Sequence, residues 1–190
     1  QLQSYHQQTN RQLKMYLGLD ISTSLTGLTV LDVDGKVVLN EVIDMRSKKF
    51  TSFFLKAQEV ERRLALLKFQ HKIEKIYVEQ SLQAFRPGLS SAQVILTLGK
   101  FNGIVSWICY KIFGFEPEYI GASTARKALG IKVERGANAK EVVLEHVKAL
   151  EPDFKIEYTA HGNPVAGTFD RADSYVIAKA GYLSCLTPKK

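Results

Sequence analysis

Apolar residues fall in short runs at the front of the chain and at helical spacing behind them. Leu17 to Ser22, Gly27 to Val33 and Lys36 to Asp44 are rich in β-branched and aliphatic residues and predict three strands. Asp34-Gly35, between the second and third, predicts a type I′ hairpin, so the three form an antiparallel meander. Phe53, Phe54, Ala57, Val60, Leu64 and Leu67 recur largely at three- and four-residue intervals among charged positions, the pattern of an amphipathic helix ending near His71. Lys75 to Glu79 then reads as a buried strand. A strand-helix-strand passage of this length favours parallel pairing through a right-handed crossover, with the first strand as the neighbour.

After a loop carrying Pro87 and Gly88, a long apolar helix is predicted from Ser91 to Phe113, capped by Ser90 or Ser91 and mostly buried. Glu118 to Ile120 reads as a fifth strand. Ser123 to Leu129, Ala139 to Leu150 and Asp170 to Leu186 read as helices. A three-strand antiparallel meander followed by alternating helix and strand predicts an α/β layered domain: a five-stranded mixed sheet, parallel in its later strands and flanked by helices. No composition break or Pro/Gly/Ser-rich linker divides residues 15–190, which are read as a single domain. Residues 1–14 contain no acid and no apolar pattern, and are read as a basic, flexible appendage. Such a stretch suits the remnant of an organellar targeting segment, a disordered basic arm or an expression artefact.

Charge changes the picture in one respect. A formal net charge of +7 points toward a polyanionic partner, a property shared by many basic domains that have none. Cys109 and Cys185 lie in apolar stretches without metal-ligand spacing and are expected to be buried free thiols in a reducing compartment. The apolar run from Gly103 to Phe115 falls short of the ~20 residues a membrane span requires, so no membrane partner is expected.

The candidate chemistry is acidic. Asp20 closes the first strand run, Glu79 closes the fourth, and Asp170-x-x-Asp173 opens the last helix. If strands one and four are adjacent and parallel, Asp20 and Glu79 emerge at the same sheet edge, where open α/β sheets place their sites. Asp170 and Asp173, three apart in the first turn, share one helix face. Each acid alone is an ordinary strand end or helix-start residue; together they form a cluster of like charges that persists only with a shared cation. Two Mg²⁺ or Mn²⁺ ions would suit phosphodiester hydrolysis at such a cluster. The sequence lacks G-x-x-x-x-G-K-[ST], H-E-x-x-H and G-x-S-x-G patterns. His146 and His161 are isolated, and surface or core roles are expected for both.

Five segments resemble, in order, the motifs of one family. Leu17-Gly18-Leu19-Asp20-Ile21-Ser22-Thr23-Ser24-Leu25-Thr26-Gly27 looks like the opening strand and turn of the RuvC family of Holliday junction resolvases, in the ribonuclease H-like superfamily. Glu79-Gln80, Leu98-Gly99-Lys100-Phe101-Asn102-Gly103, Asn138-Ala139-Lys140-Glu141-Val142-Val143 and Asp170-Arg171-Ala172-Asp173-Ser174 resemble its later motifs. The resemblance implies a ribonuclease H-like fold and a catalytic, metal-binding tetrad of Asp20, Glu79, Asp170 and Asp173 with two Mg²⁺ or Mn²⁺ ions. It implies branched DNA, a four-way junction, as substrate, with Lys127 and Lys140 on its phosphates. It also implies a homodimer, for which the Gly99/Gly103 spacing would allow close helix approach. Family members often carry a wedge aromatic a few positions after the second acid. Leu82 stands there, and Phe85 beside Arg86 is the candidate replacement for base stacking.

The leading expectation is therefore a junction-resolving endonuclease in a reducing, DNA-containing compartment, whether organelle or bacterial or phage cytoplasm. A ribonuclease H-like nuclease on another nucleic-acid target is the alternative within the superfamily, since fold does not fix substrate. A non-catalytic nucleic-acid-binding or assembly factor is a further alternative, against which the intact four acids argue. An actin-like or sugar-kinase-like phosphotransferase needs a larger, two-domain body than this length provides.

Overall fold

The computed structural model describes residues 14–80 and 92–186. Its elements run β1 (Met15–Asp20), β2 (Leu25–Leu31), β3 (Val37–Asp44), α1 (Phe53–Gln70), β4 (Ile73–Glu79), α2 (Ala92–Phe113), β5 (Glu118–Ile120), α3 (Ala122–Ala128), α4 (Ala139–Leu150) and α5 (Thr168–Leu186). The strands form one sheet in the order β3-β2-β1-β4-β5. β1 pairs antiparallel with β2, and β2 with β3; β1 and β4 run parallel, as do β4 and β5. The five-stranded mixed sheet expected from the sequence is thus present, with the α1 crossover carrying the chain from β3 past β2 and β1 to β4.

Strand alternation divides the core into two layers. Leu17 and Leu19 of β1, Leu28 and Val30 of β2, and Ile76 and Val78 of β4 pack on one face against Ala57, Val60 and Leu64 of α1 and Phe101, Val105 and Ile108 of α2. On the other face Tyr77 of β4 meets Ala172, Tyr175, Val176 and Ala180 of α5, with Val143, Leu144 and Val147 of α4 outside them. Residues of β1 and β4 that point to this second face include Gly18 and Tyr77, and therefore also Asp20 and Glu79, two positions farther along. Local signals fix the helix ends: Ser52 Oγ accepts the Leu55 amide at the start of α1, and Asn138 Oδ1 accepts the Lys140 amide at the start of α4.

Three expectations are corrected. The β2–β3 turn is not type I′, which needs left-handed backbone at both central residues: Gly35 has φ 76°, but among the described residues none other than glycine has positive φ. Asp32 organises a wider turn instead, its Oδ1 accepting the Asp34 and Lys36 amides and its carbonyl the Gly35 amide. α2 is not mostly buried. Phe101, Asn102, Val105, Ser106, Ile108 and Cys109 face inward, while Leu96, Gly99, Lys100, Gly103, Trp107 and Tyr110 form an exposed stripe at three- and four-residue spacing. By length and composition alone α2 could cross a membrane; its inward face is instead part of the core over the sheet. Finally, both cysteines are free but only Cys109 is buried; Cys185, in the last turn of α5, is exposed, with Sγ 2.8 Å from the Tyr77 hydroxyl.

Candidate functional site

The backbone brings the acids together. In β1 and β4, Leu19 pairs with Val78, so Asp20 and Glu79 follow side by side at the C-terminal edge of parallel strands. Across β1, Asp20 pairs with Gly27 of β2. Gly27 has no room for a side chain: a Cβ there would lie 1.9 Å from the Asp170 carbonyl oxygen. A Cβ on Gly18 would likewise lie 2.5 Å from the Ala178 amide nitrogen. Two glycines facing α5 thus let the helix lie flush on the sheet, with its first turns over the ends of β1 and β2. α5 starts at Thr168, two residues before the expected Asp170, and Asp170 and Asp173 remain on its first turns. On the far side, Asn102 of α2 donates from Nδ2 to the Glu79 carbonyl at 3.2 Å, and the Gln80 amide donates to Ile120 O at 2.9 Å, so the end of β4 is held by neighbours.

The four carboxylates share one electrostatic environment. Desolvation pushes Asp20 well above the usual carboxylate range, and the charges of Glu79, Asp173 and Asp170 push it further. Glu79 is raised to about 7 by burial, then by Asp173. Burial is also the main cause that raises Asp173 to about 6, with Asp170 adding to it, and burial raises Asp170. None of the four carboxylates takes part in an ion pair among the described residues.

The opposing cations are Lys140, which acts on all four acids, and Arg126, which acts on Glu79 and Asp173. The resemblance read from the sequence places Lys140 and Lys127 on substrate phosphates and does not single out Arg126. Arg126 is half-buried on α3, whereas Lys127 is exposed and is not among the charges that act on the acids. Arg46, gripped by Asp44 through two side-chain hydrogen bonds of 2.9 and 2.6 Å, adds a further positive charge near Asp170. Phe85 and Arg86 lie outside the described residues.

This donor set fits divalent cations. Hard carboxylate oxygens, desolvated together and without ion-pair partners, are the ligands Mg²⁺ and Mn²⁺ take. No group of three His, Cys, Asp or Glu side chains among the described residues already stands in ion-holding arrangement. The acids interact electrostatically across the site without standing in such an arrangement.

No protein-family model matches the chain, and no curated protein matches it. Among solved structures, Thermus thermophilus RuvC in complex with a Holliday junction substrate aligns over 91% of this chain and 96% of its own, with TM-score 0.64 at 17% identity. A second Thermus thermophilus RuvC structure aligns over 90% and 96%, with TM-score 0.60 at 21% identity. The yeast mitochondrial Holliday junction resolvase Ydc2 aligns over 90% of this chain and 78% of its own, with TM-score 0.49 at 17% identity. The two RuvC alignments run nearly end to end on both sides, and the fold of this chain is accordingly RuvC-like, the five-stranded mixed sheet and flanking helices of the ribonuclease H-like class.

Proposed function

We propose that this chain is a metal-dependent, structure-selective endonuclease that resolves four-way DNA junctions by phosphodiester hydrolysis, acting as a homodimer. The observation that carries this reading is the meeting of Asp20, Glu79, Asp170 and Asp173 at one sheet edge, desolvated together and unpaired by any cation among the described residues. The RuvC-like fold supports it by analogy, since one aligned RuvC structure holds a Holliday junction substrate.

The four acids would hold two Mg²⁺ or Mn²⁺ ions. When bound, such ions neutralise developing charge on the phosphate and favour attack by water. Asp20 and Glu79 contribute ligands from strand ends, which are stiff, while Asp170 and Asp173 contribute theirs from a helix pressed onto the same strands. Lys140 and Arg126 lie on the α4 and α3 side of the cluster and suit phosphates flanking the scissile bond, where cations give affinity without base preference. Exposed Lys127 suits a phosphate farther from the acids. The oxygen of water bonds to phosphorus as the bond to the leaving oxygen breaks, which then takes a proton; no covalent enzyme intermediate is needed.

The exposed stripe of α2 supports the dimer. No atom of the described residues lies within 4 Å of a Cβ built on Gly99 or Gly103, so a second helix can approach closely there. Beside the stripe a groove of about 590 Å³, lined by Phe54 of α1 and by Gly103, Ile104 and Trp107 of α2, leaves Phe54 75% and Trp107 60% exposed. A contiguous apolar surface of this kind marks an interaction face, and two copies meeting there would present two sites to one symmetric junction.

The test is Mg²⁺-dependent cleavage of a synthetic four-way junction. Asp20→Asn should abolish cleavage and retain junction binding; equal cutting by this variant would reject the reading.

A further inference from the structure

A closed polar ring lies beneath the first turns of α5. Asn40 of β3 donates from Nδ2 to Thr29 Oγ1 of β2 at 2.7 Å and to the Arg171 carbonyl at 3.0 Å. Ser174 Oγ donates to the same carbonyl at 2.9 Å and lies 2.8 Å from Thr29 Oγ1. With Asn40 donating to Thr29 and Ser174 donating to Arg171, the remaining Thr29 hydroxyl proton points to Ser174, so both arms of the ring run from the Asn40 amide to the Arg171 carbonyl and each hydroxyl donates once and accepts once. The Asn40 amide orientation is fixed from its other end, where Oδ1 accepts Arg171 Nε at 2.8 Å. The Arg171 guanidinium also sits 4.8 Å from the centre of the Phe154 ring.

Thr29 and Ser174 are fully buried. An apolar pair there would bury as well without needing partners, so stability alone does not call for this ring. Its effect is directional. Arg171 lies between Asp170 and Asp173 in the chain, and Asn40 of β3 clamps both its carbonyl and its side chain while Thr29 of β2 holds Asn40 and Ser174, which together fixes how far α5 is rotated about its own axis. Sites of this kind need their ligands held within about 0.5 Å and 10–20°.

We propose that Asn40, Thr29 and Ser174 are positioning residues which, through Arg171, lock the rotation of α5 so that Asp170 and Asp173 meet Asp20 and Glu79 in cation-holding geometry. This rests on the nuclease reading above. The test measures Mn²⁺ affinity of DNA-free protein by calorimetry, beside kcat and KM for junction cleavage and the melting temperature. Thr29→Val keeps shape and removes the hydroxyl; it should weaken Mn²⁺ binding about tenfold or more and lower kcat, with KM unchanged within about twofold. Thr29→Ser, which returns the hydroxyl, should restore both. Asn40→Asp keeps an acceptor for Arg171 and loses both Nδ2 donations; it should weaken Mn²⁺ binding in the same direction, and it decides the matter should Thr29→Val fail to fold. Mn²⁺ affinity within twofold of the parent in the folded variants, or Thr29→Ser as defective as Thr29→Val, would overturn the lock while leaving the nuclease reading intact. A parent protein that binds no Mn²⁺ would overturn both.

Discussion

Glu79 and Asp173 make the metal-free site a source of instability whose sign can be worked out. Both are acids whose folded-state affinity for a proton is raised, Glu79 from 4.5 to about 7 and Asp173 from 3.8 to about 6. The folded chain therefore binds more protons than the unfolded chain between about pH 4 and pH 7, and the stability these groups contribute is present below that window and lost as pH rises through it. Metal-free protein should accordingly melt at lower temperature at pH 8 than at pH 6. Glu79→Gln should raise stability at pH 8 by on the order of 2 kcal/mol, read by urea denaturation in a chelator. Added Mg²⁺ should narrow the difference between parent and variant; a parent that is more stable than Glu79→Gln in chelator would contradict the shared-field account. At this scale the sequence was partly legible. The four acids announced themselves by closing or opening elements, whereas Arg126 did not: with Ala125 the only buried residue of seven-residue α3, the facing of Arg126 and Lys127 is set by tertiary packing and not by pattern.

At the scale of elements, α5 on the sheet is held by what is missing from β1 and β2. Gly27→Ala would drive a methyl group into the Asp170 carbonyl and should destabilise by about 1–3 kcal/mol or more through overpacking, with metal affinity falling alongside, as chemical denaturation and calorimetry would show. The exposed stripe of α2 behaves oppositely. A Cβ on exposed Gly103 meets no atom of the described residues within 4 Å, so Gly103→Arg should leave the melting temperature of the monomer near the parent value while shifting sedimentation from dimer to monomer; a parent that sediments as a monomer would remove α2 as a dimer face. Strands and long helices were readable because period-two and three-to-four-residue spacing reflect burial on one face. Two features were not. Asp34-Gly35 is a strong hairpin dipeptide, yet Asp32 captures the turn through its own side chain. The Asn40 to Arg171 contact joins residues 131 apart, which no local pattern reveals.

Taken whole, the sequence carries a formal net charge of +7, which on the proposed function would draw in a polyanion while cations hold the acids at the point of reaction. Junction affinity should fall steeply with salt, and Lys140→Ala should reduce the slope of log affinity against log salt by about 1 without introducing sequence preference; an unchanged slope would take Lys140 off the DNA. The central claim is that Asp20, Glu79, Asp170 and Asp173 close on divalent cations. Anomalous diffraction from Mn²⁺-soaked crystals tests it most directly. The account predicts manganese peaks among these four carboxylates, within about 2.0–2.3 Å of their oxygens. Carboxylates paired to Arg126 or Lys140, with manganese absent or bound only elsewhere, would contradict it.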